Sequence, residues 1–356
     1  MTRLALLGAT GSIGRQALEV VAASRDLEVC ALASGSTDLT ALADELGVDL
    51  VQVGGDLTEL LEAAQPDLVL NAVVGFAGIE ATLWTLENGV DLALANKESL
   101  VAAGELALAA HARGGGRLLP VDSEHSAVFQ LLERRPRAEV ASVVLTASGG
   151  PFRGSNRDDL ADVTPAQALA HPTWSMGPKI TVDSATLANK GLELIEAHYL
   201  FDLPYDDVEI VVHPQSIVHA LVRLRDGAAL AHVGYPDMRV PISYALTYPE
   251  RAPLDVPWLD LASLTLSFEA PDVQTFPLLQ LAREAGQSGG TAPCVYNAAN
   301  EVAVSAFLDG RLSFLGVADV VAETLAAADT APARDLDDLL AADAAARRLA
   351  ERVAVA

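Results

Sequence analysis

The segment Leu4-Ala5-Leu6-Leu7-Gly8-Ala9-Thr10-Gly11-Ser12-Ile13-Gly14 constrains this chain more than any other. An apolar run passes into three glycines spaced GxxGxxG and then into an amphipathic stretch, Ile13–Ala23. Strand, tight turn and helix in that order open a nucleotide-binding βαβ unit. The glycines permit the turn, and backbone N–H groups at the helix start can approach a pyrophosphate. A tight turn without a ligand is the competing reading. The strand–turn–helix context favours dinucleotide binding over it.

The segments that follow extend the same pattern. Arg3–Leu7, Glu28–Ala33, Leu50–Val53, Leu68–Ala72, Asp91–Ala95 and Arg117–Val121 read as short buried strands. Ile13–Ala23, Leu39–Leu46 and Gly78–Asn88 read as helices between them. Such alternation predicts a parallel, Rossmann-like sheet covered on both faces. From about Ala138 the pattern becomes α+β and mostly antiparallel, with strands at Val140–Thr146, Val208–Val212, Ile217–Leu224 and Ala228–Val233. The last two are joined by the hairpin signal Asp226-Gly227, and a helix is expected over Ser184–Leu200. A Pro-rich irregular stretch, Leu254–Pro271, precedes four helical segments, Leu278–Ala285, Val295–Leu308, Leu315–Ala327 and Leu336–Val353, which read as a small bundle. The expected class is therefore α/β: a nucleotide-binding domain over 1–121, an α+β catalytic domain over 122–253, a linker over 254–273 and a C-terminal helical domain over 274–356.

Composition narrows the partners. Of 356 residues, 48 are acidic and 23 basic, a formal charge of −25 that repels nucleic-acid backbones. Two cysteines, Cys30 and Cys294, allow neither a disulfide framework nor a cysteine zinc site, and they suit a reducing cytoplasm. No run of about 18 apolar residues exists, so no membrane partner is expected. The N-terminal apolar segment is too short for a signal peptide, and a cytoplasmic protein is expected.

With so few cations, those present carry information. The second strand ends in Ser34-Gly35-Ser36-Thr37. No carboxylate stands there before Asp38, which leaves room for a 2′-phosphate and favours NADP; no Arg or Lys stands there either. Asn96-Lys97-Glu98-Ser99 follows a strand, where the carboxyl ends of a parallel sheet line a ligand crevice. Lys97 there holds an anion or forms a solvated pair with Glu98. Asp122-Ser123-Glu124-His125 also follows a strand. Its two carboxylates could hold a hard divalent cation, or could sit at a helix N-terminus for the dipole. On a helix, Asn189, Lys190 and Glu193 cluster, with Ser184 a turn earlier; phosphate donors and a surface salt bridge compete as readings. His171-Pro172-Thr173-Trp174-Ser175-Met176-Gly177-Pro178-Lys179 is bounded by Pro and Gly and reads as a lid or as a loop pinned by a Trp. His213 and His219, inside strand patterns, read as structural.

Taken together these segments are far more specific than any one. The stretches GATGSIG, ANKESLV, PVDSEHSA, SGGPFR, HPTWSMGPKITVDSATLANKGLE, HPQSIVH, YPDMRVPI and NAANEVAV run from Gly8 to Val304. The chain resembles the 1-deoxy-D-xylulose 5-phosphate reductoisomerase family over essentially its whole length. The resemblance implies a rearrangement of 1-deoxy-D-xylulose 5-phosphate by retro-aldol and aldol steps, then reduction by NADPH to 2-C-methyl-D-erythritol 4-phosphate in non-mevalonate isoprenoid synthesis. It implies NADPH contacts at Thr10, Gly11, Ser12, Ile13, Gly35, Ser36, Thr37, Asn96, Glu98 and Gly177. Asp122, Glu124 and Glu193 would hold a divalent metal, Mg²⁺, Mn²⁺ or Co²⁺. Lys97, Ser123, Ser148, His171, Ser184, Asn189 and Lys190 would hold the substrate, the last three and Ser148 around its phosphate. Lys97 would also act in catalysis with the three carboxylates. Trp174 and Met176 would lie on a closing flap, residues 171–179. The family further implies a homodimer. It often has a basic residue or Asn where Ser36 and Thr37 stand here. An ordinary NAD(P)-linked dehydrogenase, needing no metal, and a non-catalytic dinucleotide sensor are the alternatives.

Overall fold

The computed structural model describes residues 1–355 in two compact units. The first takes in 1–99, 105–126 and 237–257, and the second the remainder.

The first unit holds β1 (Thr2–Leu7), α1 (Ser12–Ala23), β2 (Leu27–Ser34), α2 (Thr40–Leu46), β3 (Val51–Val53), α3 (Leu57–Ala64), β4 (Leu68–Asn71), α4 (Ile79–Glu87), β5 (Asp91–Leu94), most of α5 (Glu98–Gly114), β6 (Leu118–Pro120) and the first turn of α6 (Ser123–Leu132). All six strands pair in parallel, in the order β3-β2-β1-β4-β5-β6. This is the doubly wound order of a Rossmann sheet, whose ligand crevice lies where the order reverses between β1 and β4. The reason is legible in the strands. Leu4–Leu7, Leu68–Leu70 and Leu92–Leu94 are buried without alternation, as strands covered on both faces must be.

The turn after β1 depends on its glycines. Gly8 has φ +85°, and a Cβ there would lie 2.4 Å from the Ala72 carbonyl oxygen. A Cβ on Gly14 would lie 2.3 Å from the Gly8 carbonyl oxygen. Hence the chain can fold α1 onto the turn only if both side chains are absent.

The second unit is built on β7 (Val140–Ala147), α7 (Pro165–Ala168), α8 (Pro178–Ala185), α9 (Ala188–Phe201), β8 (Val208–Val212), β9 (Val218–Leu224) and β10 (Ala229–Val233). After β10 the chain re-enters the first unit through α10 (Arg239–Thr247), which packs on α1. It then completes the second unit with α11 (Leu278–Ser288), α12 (Ala292–Leu308), α13 (Phe314–Ala327) and α14 (Leu336–Val355). The sheet order is β10-β9-β7-β8. The expected β9–β10 hairpin forms, but β7 and β8 run parallel, so the sheet is mixed rather than simply antiparallel. Its core is continuous through α9, α11, α12 and α13, with the Phe307 and Phe314 rings edge to face at 5.7 Å.

The single helix expected over Ser184–Leu200 is two helices. Leu187 sits at φ +63°, a left-handed conformation that ends α8 and restarts the chain as α9. The expected irregular stretch after Leu254 has neither helix nor strand apart from a bridge between Glu269 and Val212.

Candidate active site

In the first unit the nucleotide turn leads into an uncapped helix. Gly11 precedes α1 with no side-chain cap, and no acidic residue lies in the first turn. The first N–H groups of the helix, at Ser12 and Ile13, therefore have no capping side chain, and the positive end of the helix dipole lies there. At the end of β2, Gly35, Ser36 and Thr37 are exposed. Asp38 is committed elsewhere: its Oδ1 accepts from Thr40 N at 3.0 Å and Thr40 Oγ1 at 2.7 Å, and the Thr40 hydroxyl holds its pKa below the usual carboxylate range.

Asn96 is buried, and its amide is fully engaged within the protein. Nδ2 donates to the carbonyls of Val73 at 2.7 Å and Gly75 at 2.8 Å, with Glu98 Oε2 at 3.2 Å. Oδ1 accepts from Ser99. A buried chain of Asn71, Thr82 and Ser99 continues the network, with 2.9 Å between each neighbouring pair. No motif spacing announces this network; polar residues on an apolar strand and two helices, Asn71 among leucines above all, are its only signal in the sequence.

Lys97 and Asp122 stand at the tips of the neighbouring strands β5 and β6, and Nζ lies 3.1 Å from Oδ2. The local alternative for Lys97, a solvated pair with Glu98, is excluded, since Lys97 is only 6% exposed. The helix-start reading of Asp122 is observed. Its Oδ1 accepts from the N–H groups of Glu124 at 3.1 Å and His125 at 3.3 Å, starting α6. Ser123 Oγ donates to Glu124 Oε2 at 2.6 Å.

In the second unit three segments far apart in sequence converge. Ser148 at the end of β7 lies 2.9 Å from His171 Nε2, and Ser184 Oγ lies 3.2 Å from the same nitrogen. Gly150, at φ +63°, makes the approach possible, since a Cβ there would lie 3.0 Å from the Ser184 carbonyl oxygen. His171 Nδ1 accepts from the N–H groups of Trp174 at 2.9 Å and Thr173 at 3.2 Å. The proton of the neutral ring therefore sits on Nε2, facing the two hydroxyls. Burial pushes the His171 pKa down, which favours that neutral form.

Asn189, Lys190 and Glu193 cluster on α9 as expected, but not at the surface. Lys190 is 4% and Glu193 1% exposed, so the surface-pair reading fails. Lys190 Nζ donates to Glu193 Oε2, and Asn189 Nδ2 donates to Oε1 at 2.6 Å. A buried carboxylate is tolerable only with such donors.

Residues 171–177 form an exposed loop that enters α8 at Pro178, with Gly177 at its N-cap. Trp174 and Met176 are half-buried. The Trp174 ring centroid lies 6.3 Å from that of His219, which is 5.8 Å from His232. His213 is structural as expected: Nδ1 donates to Ser267 O at 2.8 Å and Nε2 accepts from Ile217 N at 3.1 Å. His219 is buried too, yet it faces the loop tryptophan, which a histidine in a strand pattern does not announce.

Fold and side chains define the class: a Rossmann-type dinucleotide-binding unit joined to a mixed α+β unit with a helical bundle. Family models narrow it further. Residues 4–56 and 37–104 match the model for 1-deoxy-D-xylulose 5-phosphate reductoisomerase, 118–201 its C-terminal domain, and 233–349 the DXP reductoisomerase C-terminal domain. The chain is 50% identical to the 1-deoxy-D-xylulose 5-phosphate reductoisomerase of Mycobacterium marinum over 98% of its own length and 92% of that protein. It is 49% identical to the one of Heliobacterium modesticaldum over 99% and 97%. A solved structure from Zymomonas mobilis in complex with NADPH superposes with a TM-score of 0.90 at 41% identity, covering 100% and 99% of the two chains. A DOX-P reductoisomerase in complex with NADPH, fosmidomycin and magnesium superposes at 0.92 with 37% identity, covering 99% and 98%. The chain belongs to the 1-deoxy-D-xylulose 5-phosphate reductoisomerase family.

Proposed function

We propose that this chain converts 1-deoxy-D-xylulose 5-phosphate to 2-C-methyl-D-erythritol 4-phosphate, using NADPH and a divalent metal, in non-mevalonate isoprenoid synthesis. The observation that carries the reading is family membership over 98% of the chain. The local geometry agrees with it. The uncapped start of α1 suits a pyrophosphate. Ser148, His171 and Ser184 present two hydroxyls and a ring N–H to one point, as a phosphate requires. Asn189 and Lys190 supply further donors beside them in sequence.

The metal is assigned to Asp122, Glu124 and Glu193. The donor set fits: all three are carboxylates, and oxygen donors without sulfur or imidazole suit Mg²⁺, Mn²⁺ or Co²⁺. The cation supplies Lewis-acid polarisation of the substrate's carbonyl and hydroxyl oxygens. Lys97, held by Asp122, steadies negative charge that develops on substrate oxygen. Ser123 binds the sugar. Bound NADPH, held by the turn Thr10–Ile13, by Gly35, Ser36 and Thr37, and by Glu98 and Gly177, with Asn96 fixing the loop beside it through its engaged amide, supplies the hydride. Residues 171–179 close as a flap, Trp174 and Met176 covering the sugar backbone and excluding water. Residues 1–121 serve the nucleotide and 122–253 the substrate and metal, except that 237–253 pack within the nucleotide unit, with 254–273 leading to the helical domain.

A homodimer in the cytoplasm completes the reading. Strand β10 is an edge of its sheet, and Trp258 is 95% and Leu261 73% exposed, surface that a second copy would cover. No helix among the described residues is long and apolar enough to cross a membrane.

The test is NADPH absorbance decay with 1-deoxy-D-xylulose 5-phosphate, with and without divalent cation. Turnover abolished by EDTA and restored by Mg²⁺ is expected. Turnover indifferent to EDTA would replace this reading with an ordinary dehydrogenase. NADPH binding without turnover would leave a dinucleotide sensor.

A further inference from the structure

Asp183 lies next to Ser184 on α8 and is 1% exposed, yet none of the roles above uses it. Its carboxylate is held from two sides. Lys179, four residues earlier on the same helix, places Nζ 2.9 Å from Oδ2. Asn300, on α12 and 117 positions away, donates from Nδ2 to Oδ1 at 2.8 Å. A buried carboxylate is costly unless such partners are present, and losing one leaves charge unmatched.

Asn300 has no other polar task visible in its side chain. It is fully buried, and its Oδ1 accepts no hydrogen bond from the described residues. The reversed amide would turn that oxygen toward a carboxylate, so the orientation is fixed by charge. A buried amide with one used end is an expensive residue in a helix core. Its one contribution is to fasten α8 to α12. Tyr296, a turn earlier on α12, is buried against Gly191 of α9, where a Cβ would meet its hydroxyl at 3.2 Å. Thus α12 braces both helices that carry the phosphate donors.

What is fastened is informative. Lys179 stands at the end of the 171–179 loop, in the first turn of α8. Ser184 follows Asp183 directly, and its carbonyl lies so close to Gly150 that a Cβ there would stand 3.0 Å from it. One carboxylate therefore links the loop's end to the helical bundle, at the residue directly before Ser184. We infer that Asp183 and Asn300 are positioning residues for substrate phosphate: the α8–α12 tie holds Ser184 at its distance from His171 and anchors the end of the flap. The inference rests on Ser184 as a phosphate contact.

The test uses the full-length enzyme and three variants, Asp183→Asn, Asn300→Ser and Ser184→Ala. KM, kcat and the inhibition constant of inorganic phosphate are measured beside NADPH affinity and Tm. Asp183→Asn keeps the shape and removes the charge, and it leaves the partly exposed Lys179 in place. KM and the phosphate inhibition constant should both rise about tenfold, with kcat within about twofold and NADPH affinity unchanged. Asn300→Ser should move the same two quantities in the same direction, and it answers the question if Asp183→Asn does not fold. A purely structural tie lowers Tm and the active fraction but leaves KM and phosphate inhibition at wild-type values; that outcome overturns the inference. If Ser184→Ala leaves KM unchanged, the phosphate role of Ser184 falls and the inference falls with it. If Ser184→Ala weakens substrate while the other two do not, only the positioning role is lost.

Discussion

Burial and the neighbouring His232 and Lys190 push the pKa of His219 down to about 4, burial being the larger cause. The fold therefore favours its neutral ring, while the unfolded chain takes the proton from about pH 6.5 downward. Stability from this group is complete above pH 6.5 and is lost as the pH falls toward 4. Between pH 7 and pH 5 the loss amounts to about 2 kcal/mol. His219→Gln cannot titrate, so its urea midpoint should fall correspondingly less over that interval; a variant that loses as much stability as wild type would disprove the assignment. Glu193→Gln addresses the metal. Turnover should drop by a hundredfold or more, in the range seen when an electrostatic stabiliser is removed, while NADPH affinity holds; unchanged Mn²⁺ affinity by calorimetry would sink the role of Glu193. Residue types at the site were legible because Ser, His, Asn and Lys in polar motifs have few other reasons to be there. Their bonding was not. That Nδ1 of His171 is occupied by two backbone N–H groups, or that Asn96 divides its amide between the distant Val73–Gly75 loop and its neighbours Glu98 and Ser99, depends on turns that no spacing rule encodes.

At the scale of elements, the first βα turn is the place where sequence and structure agree most closely, because steric exclusion leaves it little freedom. A methyl on Gly14 would press on the Gly8 and Ala9 carbonyl oxygens at 2.3 and 2.6 Å, both backbone atoms that cannot step aside alone. Gly14→Ala should cost about 2 kcal/mol and weaken NADPH about tenfold or more as the turn shifts. Gly35 is the control: nothing lies within 4 Å of its added Cβ. Gly35→Ala should change stability by no more than about 0.5 kcal/mol; thermal shifts of both variants with and without NADPH make the comparison. The parallel strands were readable from continuous apolar runs, and the four C-terminal helices from their period. The break at Leu187 was not, because a leucine carries no mark of a left-handed backbone and the apolar period runs on through it. The 171–179 loop gives the other element-scale prediction. Trp174 is half-buried, so Trp174→Ala should leave Tm within a few degrees and lower kcat/KM about tenfold or more. Lost stability with spared kinetics would mean an anchored loop and no flap.

Over the whole molecule, chain order and spatial order part company: residues 237–257 belong with the nucleotide unit because α10 covers α1. Nothing in a segment flanked by α+β pattern and Pro-rich chain declares that return, since an amphipathic helix does not say which surface it will meet. Charge, by contrast, is wholly a property of the sequence, and it has a consequence at this scale. A molecule of −25 surrounds itself with a field that concentrates divalent cations and opposes a phosphorylated substrate. The local cations proposed to receive that substrate, Lys97 and Lys190, are 6% and 4% exposed and so are screened little by salt. The long-range part alone responds to ionic strength, as the Debye length shrinks from about 30 Å at 0.01 M to about 8 Å at 0.15 M. Raising NaCl over that range should therefore weaken apparent Mg²⁺ affinity several-fold, while KM for the sugar phosphate at saturating Mg²⁺ holds steady or falls. Mg²⁺ titrations of NADPH oxidation at the two ionic strengths measure both quantities. A KM that rises with salt while Mg²⁺ affinity stays fixed would mean that exposed cations steer the substrate, and the assignment of its binding to buried lysines would have to be abandoned.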